Sequence, residues 1–426
     1  MYKYTKEVMS PKFVGKEVTL RGWVYRKREQ KDIIFILLRD SEGVIQITVR
    51  KGTKPFKEAE KLSIESSFIV RGVVKEDKRA PGGFELEAKE IKIIHLAERF
   101  PITRDVSKSF LLDVRHLWIR SRKMNSILKV RSKVMKYIRE FFDKRGFVEI
   151  SPPMFVSGAC EGGATLFEVK YFDDKVYLTQ SWQLYAEAVI FSIDKIYTIA
   201  PSFRAEKSRT IRHLTEYWHA EAEMAFADLD DVMKLEEDLL CEICKRVKKE
   251  CKEELEILKV DLTKFKKVKK PFPRLKYEEV LERLRKKGFK MKFGEDLGYD
   301  EEKAIAAEIG GPFFIYAYPK ETRAFYCKAY EDNKELVKAV DLLVPRIGEL
   351  ASGSERIDDK EELIRRIKEL KMDPKQYEWY IDLRRYGSVP HAGFGLGIER
   401  LLAWLLDLES VQDAIPFPRT LTRTYP

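Results

Sequence analysis

The sequence is poor in cysteine and has no long apolar run, and these two deficits exclude several classes of protein. Five cysteines among 426 residues are too few for the disulfide framework of a small secreted domain. Cys241, Cys244 and Cys251 share one charged, helix-like segment without a nearby fourth ligand, so we expect free thiols there rather than a metal site. No run of about 18 apolar residues occurs, and the opening residues lack the apolar stretch of a signal peptide. We therefore expect a cytoplasmic protein with no membrane span.

The short motifs with which many proteins hold a nucleotide are also absent. The sequence contains no P-loop, no glycine fingerprint of the Rossmann type and no protein-kinase signature. Any nucleotide must therefore be held by another arrangement.

The sequence has an excess of positive charge. It contains 81 Lys and Arg residues against 70 Asp and Glu residues, which gives a net charge of +11. This balance suits a polyanionic partner.

The first 100 residues have the pattern of a small β domain. Short runs that alternate apolar and polar residues are separated by turn signals, and a helix-like segment from Phe56 to Glu65 follows the third run. Five short strands with a helix after the third is the order of an OB-fold barrel, although other small β barrels share the pattern. The predicted strands are Val18 to Tyr25, Ile33 to Arg39, Val44 to Val49, Phe68 to Val74 and Phe84 to Ile94.

The rest of the chain predicts a linker or hinge at residues 101–124 and a second domain at 125–426. Strands and helices follow one another there without the regular repeat of a doubly wound sheet. The segment from Phe203 to Phe226 predicts a long antiparallel hairpin around a charged loop. Leu229 to Val247 predicts an amphipathic helix with Asp228 or Asp230 as its N-cap.

The predicted hairpin carries residues suited to a nucleotide. Arg204, Glu206, Arg212, His213 and Tyr217 would face one cleft if both strands present them together. An arginine side chain fits a phosphate with its forked donors and stacks on rings with its plane. Such a hairpin can therefore hold a triphosphate and stack a purine, although an ion-paired hairpin at a structural interface has the same pattern.

A second informative segment lies near the end of the chain. Gly393, Gly395 and Gly397 alternate along a predicted strand, and a helix begins directly afterwards with Arg400 in its first turn. Alternating glycines allow a strand to approach another group closely. The alternative is a tight strand-to-helix junction with a solvent-facing arginine.

Together these segments resemble motifs 2 and 3 of the class II aminoacyl-tRNA synthetases, and a counterpart of motif 1 precedes them. Motif 1 corresponds to about 129–153, motif 2 to about 203–226 and motif 3 to about 393–406, in the family's order. The N-terminal barrel resembles the anticodon-binding domain of the subgroup that contains the aspartate, asparagine and lysine enzymes. The resemblance implies an α+β fold, in which an OB-fold barrel precedes a catalytic domain built on an antiparallel sheet flanked by helices. It also implies a homodimer formed through motif 1.

Within that subgroup the sequence resembles the asparagine enzymes. Ala186 stands where aspartyl enzymes carry a lysine for the substrate carboxylate, although it could simply pack on the helix that starts near Gln183. Glu221 stands where those enzymes usually have aspartate, and Tyr217 replaces the usual phenylalanine but can still stack. The resemblance thus implies ATP-dependent attachment of L-asparagine to tRNA(Asn) through an asparaginyl-adenylate.

Three alternatives remain open at the level of sequence. The first is an aspartyl enzyme, including one that serves both tRNAs. The second is a paralogue that makes asparagine without tRNA, which the tRNA-reading barrel disfavours. The third is a non-catalytic tRNA-binding paralogue, which the intact Arg204, Glu206, Glu349, Ser352 and Arg400 disfavour.

The resemblance also implies a role for each site residue. Arg204 and Arg400 would be catalytic, Glu349 and Ser352 would hold Mg²⁺, and Phe35 would stack on an anticodon base unless it belongs to the barrel core. The residues implied to bind ATP are Arg204, Glu206, Arg212, His213, Leu214, Tyr217, Glu349, Gly397 and Arg400. The residues implied to bind the amino acid are Glu161, Gln183, Ala186, Arg204, Glu221, Ser352 and Arg356.

Overall fold

The computed structural model describes residues 2–160, 165–207 and 212–426, and the chain divides into two compact units. The first unit ends at Leu111 and the second runs from Leu112 to Pro426, so the division falls within the predicted hinge at 101–124. In the described part of the chain, no helix has both the length and the apolar character that crossing a membrane requires.

The first unit is a closed five-stranded barrel. Its elements are α1 (Thr5–Val8), β1 (Glu17–Gln30), β2 (Ile33–Arg39), β3 (Val44–Arg50), α2 (Phe56–Lys61), β4 (Ser67–Glu76) and β5 (Phe84–His95). The strands close in the order β1-β2-β3-β5-β4. In β2 the side chains of Ile34, Ile36 and Leu38 are buried while those between them are partly exposed, so the apolar–polar alternation becomes the inside and outside of the barrel. The predicted barrel with a helix after its third strand is confirmed.

The second unit is built around an eight-stranded sheet and a smaller three-stranded sheet. Its strands are β6 (Val148–Glu149), β7 (Phe155–Val156), β8 (Glu168–Tyr171), β9 (Asp174–Leu178), β10 (Lys195–Phe203), β11 (Glu216–Ala225), β12 (Arg274–Lys276), β13 (Phe313–Pro319), β14 (Leu336–Val344), β15 (Gly348–Glu355) and β16 (His391–Gly397). The large sheet has the order β12-β13-β14-β15-β16-β11-β10-β6, and the small sheet has the order β7-β9-β8. Only the two outermost pairs of the large sheet are parallel. The predicted α+β class with a mostly antiparallel sheet in the second unit is therefore confirmed.

Helices flank this sheet and occupy most of the remaining sequence. They are α3 (Lys108–Asp113), α4 (Arg115–Trp118), α5 (Arg122–Asp143), α6 (Gln183–Val189), α7 (Leu229–Glu250), α8 (Lys252–Leu258), α9 (Tyr277–Lys286), α10 (Tyr299–Ile309), α11 (Lys360–Glu369), α12 (Glu378–Arg385) and α13 (Ile398–Leu405). Helix α7 begins where predicted, because the Asp228 carboxylate accepts from the N–H of Asp231 and the Asp231 carboxylate accepts in return from the N–H of Asp228.

The hairpin between β10 and β11 exists, but the prediction of its first strand was wrong. That strand ends at Phe203 instead of beginning near it, and Arg204 follows it in irregular structure. Residues 196–200 of β10 are all buried, so both faces of this strand are covered and its sequence lacks the alternation that identifies a half-exposed strand. The hairpin therefore begins further upstream in the sequence, at Lys195, than its polar residues indicate.

Glu236 is an unusual residue of α7, because no cation in the described part of the chain forms an ion pair with its buried carboxylate. The residue is 1% exposed, and neither carboxylate oxygen has a hydrogen-bond partner among the described residues. Burial, followed by the nearby charge of Asp341, raises the pKa of Glu236 well above its usual range. The carboxyl group is therefore neutral in the folded protein at pH values where it would ionise in the unfolded chain.

We expect Glu236→Met to stabilise the protein, and to do so more strongly at pH 8 than at pH 4.5. A raised folded-state pKa favours folding below the pKa of the unfolded chain, and this contribution is lost as the pH rises. Methionine removes a buried polar group that lacks a partner, which is a gain of about 1–3 kcal/mol at high pH. Urea unfolding of the wild type and the variant at the two pH values measures this difference in the free energy of unfolding.

Glu242→Met on the same helix is the matched control, because Glu242 is half-exposed. Its free energy of unfolding should change little and without dependence on pH. Equal stability of the wild type and Glu236→Met at pH 8 would contradict the conclusion that the buried carboxyl group of Glu236 destabilises the fold.

Candidate active site

Neighbouring strands of the large sheet place chemically useful side chains in one row. Asp341 of β14 pairs with Ser352 of β15, Ser352 with Gly395 of β16, and Gly395 with Glu221 of β11. Residues in register across a sheet face the same side, so this row forms the floor of a site. The absence of a side chain at Gly395 leaves space above the middle of the row.

Strand β11 supplies the largest set of residues to this face. Tyr217, His219, Glu221 and Glu223 alternate along it and point to the same side of the sheet. Tyr217 and Glu221 are among the predicted site residues, whereas His219 and Glu223 are not. The two-residue period of a strand was the signal that could have found them.

A pocket at one end of this face collects every residue implied to bind ATP. Its lining combines two glycines and an aromatic ring with several charged side chains. The lining residues are Arg204, Glu206, Arg212, His213, Leu214, Tyr217, His219, Glu349, Leu350, Gly395, Gly397, Glu399, Arg400 and Val411. We refer to this space as the nucleotide pocket.

The charges of the nucleotide pocket are arranged around Glu349. Arg400 Nη1 donates to the Glu349 backbone carbonyl at 3.0 Å and lies 3.0 Å from its carboxylate. Burial alone would raise the pKa of Glu349, but the surrounding arginines, Arg400 and Arg204 foremost, outweigh it and lower the pKa to about 2. Glu349 is therefore an anion at every physiological pH and can bind a cation.

The nucleotide pocket also contains a tyrosine ring and two imidazole rings. The rings of Tyr217 and His219 meet edge to face with centroids 4.7 Å apart, and the Arg204 guanidinium lies 5.7 Å from the Tyr217 ring centroid. Burial, then the charges of Arg204 and Arg400, lower the pKa of His219 to about 3. Burial, followed by the charge of Arg400, also lowers the pKa of His213. A flat apolar ring beside a cluster of arginines suits a purine attached to phosphates.

A second cavity, with a volume of about 1110 Å³, adjoins the nucleotide pocket. Arg204, His219, Glu349 and Gly395 line both spaces. We refer to the second space as the amino-acid cavity. Of the residues implied to bind the amino acid, those that line it are Gln183, Arg204, Glu221, Ser352 and Arg356.

Arg356 is held by a network of buried acceptors. Its Nε and Nη2 atoms each lie 3.0 Å from an oxygen of Glu223, its Nη2 donates to Gln183 Oε1 at 2.7 Å, and its Nη1 donates to Ser354 Oγ at 2.6 Å. Burial would lower the pKa of Arg356, but the charge of Glu223 outweighs it and raises the pKa. Arg356 is therefore a fixed cation, and its forked contact with Glu223 sets its orientation.

Glu221 faces the same cavity, and its carboxylate is hydrogen-bonded. It accepts a short hydrogen bond from Ser181 Oγ and a longer one, 3.4 Å, from the N–H of Trp182. The residue is 5% exposed. The cavity thus presents a cation at Arg356 and an acceptor at Glu221, which is the asymmetric pair that a carboxamide side chain requires.

Ala186 is not brought to this cavity. It is 0% exposed and packs in an apolar cluster with Trp182, Ile190, Ile196 and Ala225. Ala186 therefore does not line the cavity in which it was predicted to contact the amino acid, because α6 directs its side chain into the core of the unit. The predicted Glu161 lies outside the described residues.

Glu187, Glu223 and His391 form a cluster in which ligand atoms lie within 4.8 Å of one another. A metal ion could be considered there on distance alone. However, Arg384 and Arg356 already pair with the two carboxylates, and the His391 ring lies 2.9 Å from Glu187. The two cations balance the two anions, so the cluster is a buried ion-pair network behind the site.

The fit of Mg²⁺ to Glu349 and Ser352 depends on an irregularity of β15. Residues three apart on a regular strand face opposite sides, but Leu342 pairs with Ala351 and Leu343 with Glu349, which makes Leu350 an extra residue. This bulge turns Glu349 and Ser352 toward the same cavity. A carboxylate and a hydroxyl are oxygen ligands of the kind that Mg²⁺ prefers, so the two residues fit the ion.

Phe35 lies on the outer face of the barrel. Its neighbours in β2, Ile34 and Ile36, belong to the buried core, whereas Phe35 is partly exposed. It pairs with Arg28 of β1 and Thr48 of β3. An aromatic ring beside an arginine on the surface of a barrel can stack a nucleic-acid base.

Comparison with known proteins agrees with this geometry. Residues 107–421 match the family described as tRNA synthetases class II (D, K and N), and residues 18–94 match the OB-fold nucleic acid binding domain. The chain is 50% identical to the asparagine–tRNA ligase of Thermococcus gammatolerans over 98% of both chains. It superimposes with a TM-score of 0.97 and 48% identity on the asparaginyl-tRNA synthetase of Pyrococcus horikoshii complexed with asparaginyl-adenylate, over 100% of both chains. An aspartyl-tRNA synthetase from Entamoeba histolytica is more distant, with 26% identity and a TM-score of 0.86 over 100% of this chain and 93% of that one.

Proposed function

This chain belongs to the class II tRNA synthetases of the D, K and N group, and we propose that it attaches L-asparagine to tRNA(Asn) through an asparaginyl-adenylate, at the expense of ATP. The observation that carries the choice of amino acid is that a cation, Arg356, and an acceptor, Glu221, line the same cavity. The aspartyl alternative would require cations around both side-chain oxygens of its substrate, and Glu221 would repel one of them.

The first step joins asparagine to AMP. The asparagine carboxylate attacks the α-phosphorus of ATP, a P–O bond forms, and pyrophosphate leaves with the electrons of the bond that breaks. The attacking group is already ionised, so no general base is needed and the protein contributes position and charge neutralisation. Arg204 lines both the nucleotide pocket and the amino-acid cavity, so its guanidinium can contact the carboxylate and the α-phosphate together.

The second step transfers the asparaginyl group to tRNA. The terminal 3′-hydroxyl of the tRNA attacks the carbonyl carbon of the adenylate, the hydroxyl proton leaves, and AMP departs.

Mg²⁺ bound at Glu349 and Ser352 would supply positive charge to the phosphates in the first step. Arg400 and Arg212 would hold the outer phosphates, and Tyr217 would stack on the adenine.

Pyrophosphate exchange tests the proposed function directly. The purified protein is incubated with ATP, labelled pyrophosphate and one amino acid at a time. Asparagine should support exchange, and aspartate should support it far more weakly, by roughly 10⁴-fold for a polar mismatch of this kind. A preference for aspartate would replace the proposal with the aspartyl alternative. A protein that exchanges with no amino acid but still binds tRNA would favour the non-catalytic paralogue.

Phe35 provides a test of tRNA recognition that is separate from adenylate formation. We expect Phe35→Leu to weaken charging of tRNA(Asn) by about 1–3 kcal/mol, because leucine fills space without a stacking face. Pyrophosphate exchange, which does not involve the anticodon, should be unchanged. Aminoacylation assays over a range of tRNA concentrations measure the change.

Phe35→Trp is the matched control, because it keeps an aromatic face at the same position. It should retain charging that Phe35→Leu loses. A loss of thermal stability with no selective loss of tRNA charging would assign Phe35 to the packing of the barrel.

We also propose a homodimer formed through motif 1, in the cytoplasm, where tRNA is charged for translation. The motif 1 strand β6 is an edge strand of the large sheet, and Val148 in it is 43% exposed. A partner subunit would cover this edge about a twofold axis. Sedimentation at micromolar concentration should therefore give twice the chain mass of 50.0 kDa.

Val148→Lys should shift the sedimentation toward the monomer, because a charge would be buried in the interface. Val14→Lys in the first unit is the matched control, since Val14 is similarly exposed at 42%. A monomeric wild type, or an equal effect of both variants, would contradict the interface.

A further inference from the structure

Glu302 lies outside the three motifs and yet contacts two residues of the nucleotide pocket. It belongs to α10, in the region between β12 and β13, and is 6% exposed. Its carboxylate accepts a short hydrogen bond from Arg212 Nη1 and a second one, 3.1 Å, from the backbone N–H of Glu349. One side chain thus joins the hairpin of motif 2 to the strand that carries the metal-binding carboxylate.

The packing around this contact is tight. Gly348 begins β15 at φ +81, and a Cβ atom there would collide with Glu302 Oε2 and the Arg212 guanidinium. From the other side, Tyr299 of α10 places its ring centroid 4.9 Å from the Arg212 guanidinium. The carboxylate of Glu302, the ring of Tyr299 and the backbone at Gly348 therefore enclose the Arg212 guanidinium.

The energetics favour a fixed Arg212. The side chains of Arg212 and Glu302 are 11% and 8% exposed, so their attraction is weakly screened by water. A free arginine has about 2 kcal/mol of rotamer entropy to lose when it meets a phosphate, and a pre-positioned one loses less. Without Glu302, Arg212 would be attracted instead toward the carboxylate of Glu349, which also faces the pocket.

We propose that Glu302 is a positioning residue for ATP: it holds Arg212 where the guanidinium meets the outer phosphates, without touching the nucleotide itself. The inference rests on the proposed function, in which the nucleotide pocket takes ATP. It extends the working parts of the site to α10, which none of the three motifs includes.

The test compares ATP with AMP, because AMP lacks the outer phosphates. Glu302→Ala should weaken ATP binding by about 10-fold or more, the usual value of a hydrogen bond to a charged group. AMP binding should change by less than about twofold, since AMP does not reach Arg212. Calorimetric titration of each nucleotide into the full-length protein measures both constants. In pyrophosphate exchange, the KM for ATP should rise while the KM for asparagine is unchanged.

Glu302→Gln guards against misfolding, because its amide oxygen can still accept from Arg212 and from Glu349. It should keep the fold and give a smaller loss of ATP affinity than the alanine variant. Glu308→Ala on the same helix is the matched control, because Glu308 pairs with Arg283 at 2.9 Å and Lys287 at 3.0 Å instead. That control should bind both nucleotides normally.

A double-mutant cycle separates positioning from a general structural effect. In an Arg212→Ala background, Glu302→Ala should cause no further loss of ATP affinity, because it acts through Arg212. Equal losses for ATP and AMP, additive effects in the cycle, or tighter ATP binding by the variants would each overturn the proposal. A wild type that binds ATP but does not activate asparagine would overturn the proposed function instead, and the ATP and AMP titrations would still decide the part of Glu302.

Discussion

Arg204→Ala should reduce asparagine-dependent pyrophosphate exchange by at least about 100-fold, an effect of about 3 kcal/mol or more, while the protein remains folded. Arg204 lines the wall that the nucleotide pocket shares with the amino-acid cavity, where the reacting carboxylate and the α-phosphate would meet in the proposed reaction. Alanine removes a forked cation at the point where charge shifts during the reaction. Arg204→Lys should recover only part of the activity, because it restores the charge without the paired donors.

Arg283→Ala on α9 is the matched control for this experiment. Arg283 pairs with Glu279 and Glu308 at the surface and lines neither space of the site. It should exchange like the wild type, and thermal unfolding of both variants should reveal whether either has lost its fold. Normal exchange by Arg204→Ala would refute the assignment of the motif 2 arginine.

Glu221→Gln should lower the preference for asparagine over aspartate by about 10²-fold or more. In the wild type, aspartate would place a second carboxylate beside the buried Glu221, and an unpaired buried charge costs several kcal/mol. Glutamine removes that repulsion and can donate to an aspartate oxygen. Asparagine should also be activated less well, because glutamine offers it a weaker acceptor.

The ratio of kcat/KM for the two amino acids, each measured by pyrophosphate exchange, is the relevant quantity. Glu216→Gln is the matched control, since Glu216 lies on the same strand but lines neither the nucleotide pocket nor the amino-acid cavity. Its ratio should equal that of the wild type. An unchanged ratio in Glu221→Gln would mean that another group distinguishes the two side chains.

Ala186 is a poor position at which to test the choice of amino acid, because it lies in the buried core. A lysine there would replace a buried methyl group in an apolar cluster beside Trp182 and Ile196. Its first effect would be loss of stability, and any change in substrate preference would be hard to attribute. Glu221 and Arg356 line the cavity itself, which makes them the better positions at which to test the choice of amino acid.

Local pattern predicted the elements that local interactions form. The alternation in β2 predicts a half-buried strand, Asp228 predicts the start of α7, and the alternating glycines before Arg400 predict a strand that passes directly into a helix. The prediction failed at β10, whose two buried faces erase the alternation on which it depends. The types of the chemical groups were also readable from the sequence, because a site for a purine nucleotide needs donors such as arginine for the phosphates and a ring to stack on the base.

By itself, the sequence determined the order of the two units, the five strands of the barrel, helix α7 and the presence of the arginine-rich hairpin with its tyrosine. Only the tertiary structure decided which groups act together. The bulge at Leu350 turns Glu349 and Ser352 to the same side, and the register of β11 with β16 places Glu221 over Gly395. Glu223 meets Arg356, and Glu302 meets Arg212, across long separations in the chain. Local periodicity reports how each segment folds, whereas these contacts depend on strand register and helix packing, which no local pattern encodes.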